Sequence, residues 1–309
     1  MNKRVLLLGG DGQLGWEIQR LSSADLVLKV CNRSVLDITN AANVAKFVDE
    51  FQPHAIINAA AYTAVDKAEG DVDQAKAVNT QGAKNLALAA SRSGARLVQI
   101  STDYVFDGNT NQPYLPEAVK SPQSCYGNSK ASAEDAIVSH CQNVVIIRTG
   151  WLYSAHGNNF VKTMLRLINE RDELKVVADQ VGTPTWAAGL ARAALKAAVS
   201  DAVVKYPAIY HWTDLGVATW YDFAKAIQEV GKNLGLIEGM CDISPISTAE
   251  YPTPAKRPVY SVLDKTSTLK ELDLKGQYWR EALTEMLQQL SETTTNKQPE
   301  SESAKRWQV

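Results

Sequence analysis

Val5-Leu6-Leu7-Leu8-Gly9-Gly10-Asp11-Gly12-Gln13-Leu14-Gly15 is the stretch that decides the fold class. Four apolar residues in an unbroken run suit a strand buried on both faces of a parallel sheet. The glycines turn the chain, and a helical pattern then runs to Leu21. Strand, glycine turn and helix in that order form the context of a dinucleotide site. Gly9 permits the tight turn, Gly12 lets a pyrophosphate approach the backbone, and Gln13 and Leu14 open the helix whose free N–H groups face it. The spacing is G-x-x-G-x-x-G, and a purely structural turn is the alternative.

Outward from this turn, strands and helices alternate. Strands are expected at Leu26–Val30, Ala55–Asn58, Arg96–Ile100 and Val144–Ile147, and helices at Ala41–Phe51, Gln74–Ser93 and Tyr126–Cys141. This alternation to about residue 153 predicts an α/β fold, a Rossmann-like doubly wound parallel sheet. Residues 154–290 read as a smaller α+β region, mainly for substrate, with a strand at Ala208–His211 and a final helix at Tyr278–Leu290. Residues 291–309 are Ser/Thr/Glu/Lys-rich and read as a flexible tail. The polar, Pro-bearing segment 109–124 suits a mobile lid.

The second strand ends in Cys31-Asn32-Arg33-Ser34, without the carboxylate that would hold a ribose 2′-hydroxyl. Arg33 could meet a 2′-phosphate there, which favours NADPH and leaves NADH open; it reads equally well as a solvated loop charge. Asp37 and Ile38 could border the adenine. The third strand delivers the small residues Ala59-Ala60-Ala61 and then Tyr62-Thr63 to the expected cofactor cleft.

Tyr126 and Lys130 stand one helical turn apart. A nearby ammonium lowers a phenol's pKa and lets it exchange a proton with a sugar oxygen. Thr102, at the end of the fourth strand, could hydrogen-bond a substrate carbonyl. Asn159, Lys162 and Arg257 are candidate partners for a diphosphate.

The chain has 309 residues, 45% hydrophobic and 21% charged, with net charge −2. This composition argues against a dedicated nucleic-acid surface or a membrane span. The apolar run after Met1-Asn2-Lys3-Arg4 is too short for a signal core. Four scattered cysteines and four unclustered histidines suggest a reduced, cytoplasmic setting and no catalytic metal.

Gly12-Gln13-Leu14-Gly15, Ser101 to Gly108, Tyr126-Gly127-Asn128-Ser129-Lys130, Arg148 to Tyr153, Gly157-Asn158-Asn159-Phe160 and Arg257-Pro258 together resemble the extended short-chain dehydrogenase/reductases. Within them the resemblance narrows to the branch that reduces the C4 ketone of dTDP-4-dehydro-β-L-rhamnose with NADPH. It implies Tyr126 as proton donor, Lys130 on the nicotinamide ribose, and Thr102 on the sugar carbonyl. It also implies Gly12, Gln13 and Leu14 on the pyrophosphate, Asp37 and Ile38 at the adenine end, and Ala61, Tyr62 and Thr63 along the inner cofactor. Asp103 and Trp151 match sugar-contacting positions. Some members form dimers bridged by Mg²⁺. Glu17 matches one bridging position, but Ala188 stands at the other, which speaks against the metal and leaves a homodimer open. Two alternatives are another nucleotide-sugar enzyme of this family and a non-catalytic subunit like that of methionine adenosyltransferase.

Overall fold

The computed structural model describes residues 3–200 and 206–295. The first strand, β1 (Lys3–Leu8), enters the glycine turn and α1 (Gln13–Leu21). Then come β2 (Leu26–Cys31), α2 (Ala41–Phe51), β3 (Ala55–Asn58), α3 (Val72–Lys76), α4 (Ala83–Ser93), β4 (Arg96–Thr102), α5 (Cys125–His140) and β5 (Val144–Thr149). A π-helical stretch, Ala77–Gly82, joins α3 to α4 into the one long helix expected there.

The second half holds β6 (Leu152–Tyr153), α6 (Phe160–Glu170), β7 (Glu173–Val177), β8 (Val181–Gly182), β9 (Thr185–Trp186) and α7 (Ala187–Val199). It continues with β10 (Ala208–His211), β11 (Ala218–Thr219), α8 (Trp220–Asn233), β12 (Asp242–Ile246), α9 (Thr266–Glu271) and α10 (Trp279–Thr295). The helix α10 runs past the expected start of the tail at residue 291, and the rest of that tail, from residue 296, lies outside the described residues.

Six parallel strands form one sheet in the order β10-β5-β4-β3-β1-β2. Both faces are covered, which is why β1 is continuously apolar. Val5 and Leu7 pack with α1 and the alanines of α7, while Leu6 and Leu8 pack with α2, α4 and α5. The sheet draws on both sides of the division expected at residue 153, because β10 pairs with β5 and α7 packs beside α1. A separate core gathers α6, α8 and α10 around Tyr153, Phe223 and Trp279. The strand order reverses at β1, and ligands of open α/β sheets bind beyond the carboxyl ends of the strands at such a point.

Candidate active site

At that point lies a cleft of about 1300 Å³. Its floor is the glycine turn. Gly9 sits at φ +78°, and a Cβ there would lie 2.6 Å from the Ala60 nitrogen. A Cβ on Gly15 would come 2.2 Å from the Gly9 carbonyl oxygen, so the protein itself demands both glycines. Gly12 is different: its only protein neighbour would be the Gly9 oxygen at 3.4 Å, and it lines the cleft. Gly12 also caps α1 without any side-chain partner for the first free N–H groups. The space beside Gly12 and the open helix end fit a pyrophosphate. Gly12→Val is therefore expected to keep the wild-type melting temperature while weakening NADPH binding by about tenfold or more, near 1.4 kcal/mol, in a fluorescence titration. Unchanged affinity would place the cofactor elsewhere.

Ala61 and Thr63 line the same cleft, whereas the Tyr62 hydroxyl turns away to Asp71 at 3.3 Å. Arg33, Asp37 and Ile38 do not line it. Arg33 is largely exposed, beside Asp37 at 3.4 Å. The Thr39 backbone N–H and hydroxyl hold the Asp37 carboxyl below its usual range. Ile38 is buried and fills the space left by Gly82.

Thr102, Tyr126 and Lys130 meet in the middle of the cleft. Ser124 caps α5 by accepting from the Gly127 N–H, which sets the helix so that Tyr126 faces β4. Tyr126 is 8% exposed, and its phenol lies beside the Thr102 hydroxyl. The expectation that Lys130 lowers the Tyr126 pKa is corrected. Burial holds the phenol above its ordinary value, Asp103 and Tyr104 add to that, and only Thr102 opposes it. The reason is geometric: Lys130 Nζ donates to the Ile100 carbonyl on β4 at 2.7 Å. Burial pushes the lysine itself down to about 8, against the pull of Glu134.

A buried network anchors this helix to the sheet. Glu134, one turn past Lys130, accepts two bonds from Arg148 of β5, at 2.9 and 2.8 Å, and one from Ser101 at 2.6 Å. Arg148 also donates to the Pro116 carbonyl and lies over the Phe106 ring. The segment 109–124, expected to suit a mobile lid, contributes no residue to the lining of the cleft. It is fastened by Tyr114, stacked on Phe106 at 4.2 Å, and by the Ser121 N–H on the Val105 carbonyl.

The far wall is aromatic. Trp151 stacks on Trp220 of α8 with ring centres 3.6 Å apart, and Phe160 and Phe223 continue the surface. Trp151 is at φ +50°, a strained region for a large side chain, of the kind found at functional sites. Gly150 beside it allows close approach, because a Cβ there would sit 2.5 Å from Asp103 Oδ2. Trp220, Gln180 and Lys175 also line this end, and sequence reasoning missed them.

Asn159 caps α6 and donates to Gln13 at 2.9 Å, tying this half to the glycine turn. Arg257 lines the cleft but is engaged by Asp66 at 2.6 Å and by the Tyr104 hydroxyl at 2.9 Å. Lys162 is not in the lining; its Nζ donates to the Ala155 carbonyl. Glu17 is buried, taken by Arg20 at 2.8 Å and Ser154 at 2.9 Å, and Ala188 is buried in α7. Among the described residues no three His, Cys, Asp or Glu side chains gather to hold a metal ion.

The family model described as the RmlD substrate binding domain matches residues 3–292. The dTDP-4-dehydrorhamnose reductase of Aggregatibacter actinomycetemcomitans is 41% identical over 91% of this chain and 97% of its own. A crystal structure of a dTDP-4-dehydrorhamnose reductase from Clostridium acetobutylicum is 43% identical, with a TM-score of 0.86 over 93% of this chain and 99% of its own. That of the Bacillus anthracis reductase, in complex with NADP, is 37% identical, with a TM-score of 0.87 over 94% of this chain and 100% of its own. Matched along nearly the whole of its described length, the chain belongs to the RmlD substrate binding domain family.

Proposed function

We propose that this chain reduces the C4 ketone of dTDP-4-dehydro-β-L-rhamnose to dTDP-β-L-rhamnose, the last step in making that activated sugar. The observation that carries the reading is that Tyr126 and Thr102 stand together in a cleft that starts on Gly12 and ends on aromatic rings. The relatives named above, reductases of that sugar nucleotide at 37–43% identity, support it.

A nicotinamide cofactor on the glycine turn would supply the hydride, which no side chain of the cleft can give. Gly12, Gln13 and Leu14 would hold its pyrophosphate, and Lys130 its nicotinamide ribose. Tyr126 carries the proton. Its raised pKa keeps the phenol neutral at pH 7, and the developing alkoxide is more basic than a phenolate, so the proton still moves downhill. Thr102 offers a second hydrogen bond to the same oxygen, fixed before charge develops. Trp151 and Trp220 give the deoxysugar an apolar face and exclude water. Lys175 and Arg171, at the open end, suit the diphosphate better than Arg257, whose guanidinium is already paired.

Arg33, exposed beyond β2 and weakly bonded to Asp37, favours NADPH in this reading. Arg33→Ala is expected to raise KM for NADPH about tenfold with little change for NADH. Equal changes for both would remove Arg33 from the site. Among the described residues no helix is long and apolar enough to cross a membrane, in keeping with work in the cytoplasm. The reading is tested by supplying the dTDP-4-dehydro sugar and following NADPH oxidation. A rate no higher than without the sugar would end it.

A further inference from the structure

Asp103 follows Thr102 at the end of β4 and is 2% exposed. Its position has an unusual feature: the carboxyl faces the cleft without a basic partner. The Thr102 and Ser261 hydroxyls and the backbone N–H groups of Asp103 and Tyr104 are what favour its charge. The phenols of Tyr104 and Tyr126 face it from the following turn and from α5. A Cβ at position 150 would lie 2.5 Å from Oδ2, so Gly150 leaves room for that oxygen, which lacks a hydrogen-bond partner of good geometry; the Ser261 hydroxyl is near but does not meet it squarely. Burial pushes the Asp103 carboxyl up to about 6. An ionised carboxylate with one unpartnered buried oxygen is costly, and substrate filling the cleft removes more water from it.

The Thr102 hydroxyl has one hydrogen and two lone pairs. The Tyr104 N–H occupies one lone pair at 3.2 Å. Asp103 Oδ1 lies 3.0 Å from the same oxygen. If Asp103 is ionised, it must take the one Thr102 hydrogen, and nothing remains for a ketone. If Asp103 is protonated, it donates to the second lone pair, and the Thr102 hydrogen is free to point into the cleft.

We propose that Asp103 works in turnover as a neutral carboxylic acid, donating to Thr102 Oγ1 and so aiming the Thr102 hydrogen at the ketone oxygen. Asp103 is then a positioning residue for the reduction proposed above, on which this inference rests. Its own proton neither leaves nor arrives: hydride adds to C4, and the Tyr126 proton goes to the oxygen.

The test is kcat with saturating substrate and NADPH from about pH 5 to about pH 9. Losing one oxyanion donor typically costs about 10²–10³-fold. Wild-type kcat is expected to fall at least about tenfold as Asp103 ionises, with a separate fall on the alkaline side as Lys130 loses its proton. In Asp103→Asn the carboxamide N–H can donate to Thr102 and cannot ionise, so the first fall disappears and the Lys130 fall stays. In Thr102→Val overall turnover drops and the first fall is again absent. A first fall that survives in either variant overturns the proposal. So does a wild-type profile with the Lys130 fall alone, a result that needs no variant to fold. Absence of turnover at every pH overturns the functional reading and this inference with it.

Discussion

Tyr126→Phe is expected to lower kcat by about 10²–10⁴-fold, the range that general acid help supplies. The ring stays, so the edge-on contact with Tyr104, centres 5.6 Å apart, and the packing beside Ala68 and Ala75 stay with it. Only the hydroxyl, which lies beside Thr102, is lost. Substrate binding should change little, because the phenol's contribution grows as charge develops on the ketone oxygen. Steady-state kinetics separate the cases: a fall in kcat with KM within a few-fold of wild type fits proton donation in the transition state. Wild-type kcat in the variant would remove Tyr126 from the chemistry.

Glu134→Ala is expected to cost about 3–5 kcal/mol of stability, the usual result of removing one partner of a buried ion pair. Glu134 and Arg148 are both 2% exposed, so the guanidinium would be left uncompensated in the core. Lys120 at 3.5 Å belongs to the same cluster, and its ammonium would lose Glu134 too. Urea unfolding measures the loss. A second variant tests the cause: replacing both residues with apolar ones, Glu134→Leu with Arg148→Met, should recover most of the stability, since no buried charge is then unpaired. If Glu134→Ala unfolds at the wild-type urea midpoint, the network does not anchor α5.

The glycine turn was legible because each glycine answers to a different physical demand within a few residues. Gly9 needs positive φ, Gly15 needs room against the turn, and Gly12 needs none from the protein. The strand ends were legible for a similar reason, since apolar runs stop where Thr102 and Thr149 reach the cleft. The aromatic wall was not. Trp151 and Trp220 are 69 positions apart by their numbers, and no periodicity links them. Their meeting depends on α8 folding back on β6, which only tertiary packing decides.

The same limit hid the partners of Lys130. Tyr126, Lys130 and Glu134 follow one stripe of α5 at four-residue spacing, a signal that could have drawn Glu134 in. The stripe could not tell that the ammonium would turn to the Ile100 carbonyl, which comes from the neighbouring strand. Two short motifs gained their meaning only when brought together. Gly108 is at φ +77°, and a Cβ there would lie 2.7 Å from Pro258, so Asp107-Gly108 and Arg257-Pro258 belong to one close contact. The membership of Ala208–His211 in the main sheet was equally invisible, because a four-residue apolar strand carries no mark of its neighbour.

The central claim is that Thr102 and Tyr126 receive the oxygen of a C4 ketone while a hydride reaches its carbon. The most direct measurement uses NADPH carrying deuterium at the transferable position of the nicotinamide ring, with the dTDP-4-dehydro sugar as acceptor. Deuterium at C4 of the product sugar, in one configuration and in amount equal to the cofactor oxidised, is the expected result. Cofactor oxidation with no deuterium at C4, or no oxidation at all, would contradict it.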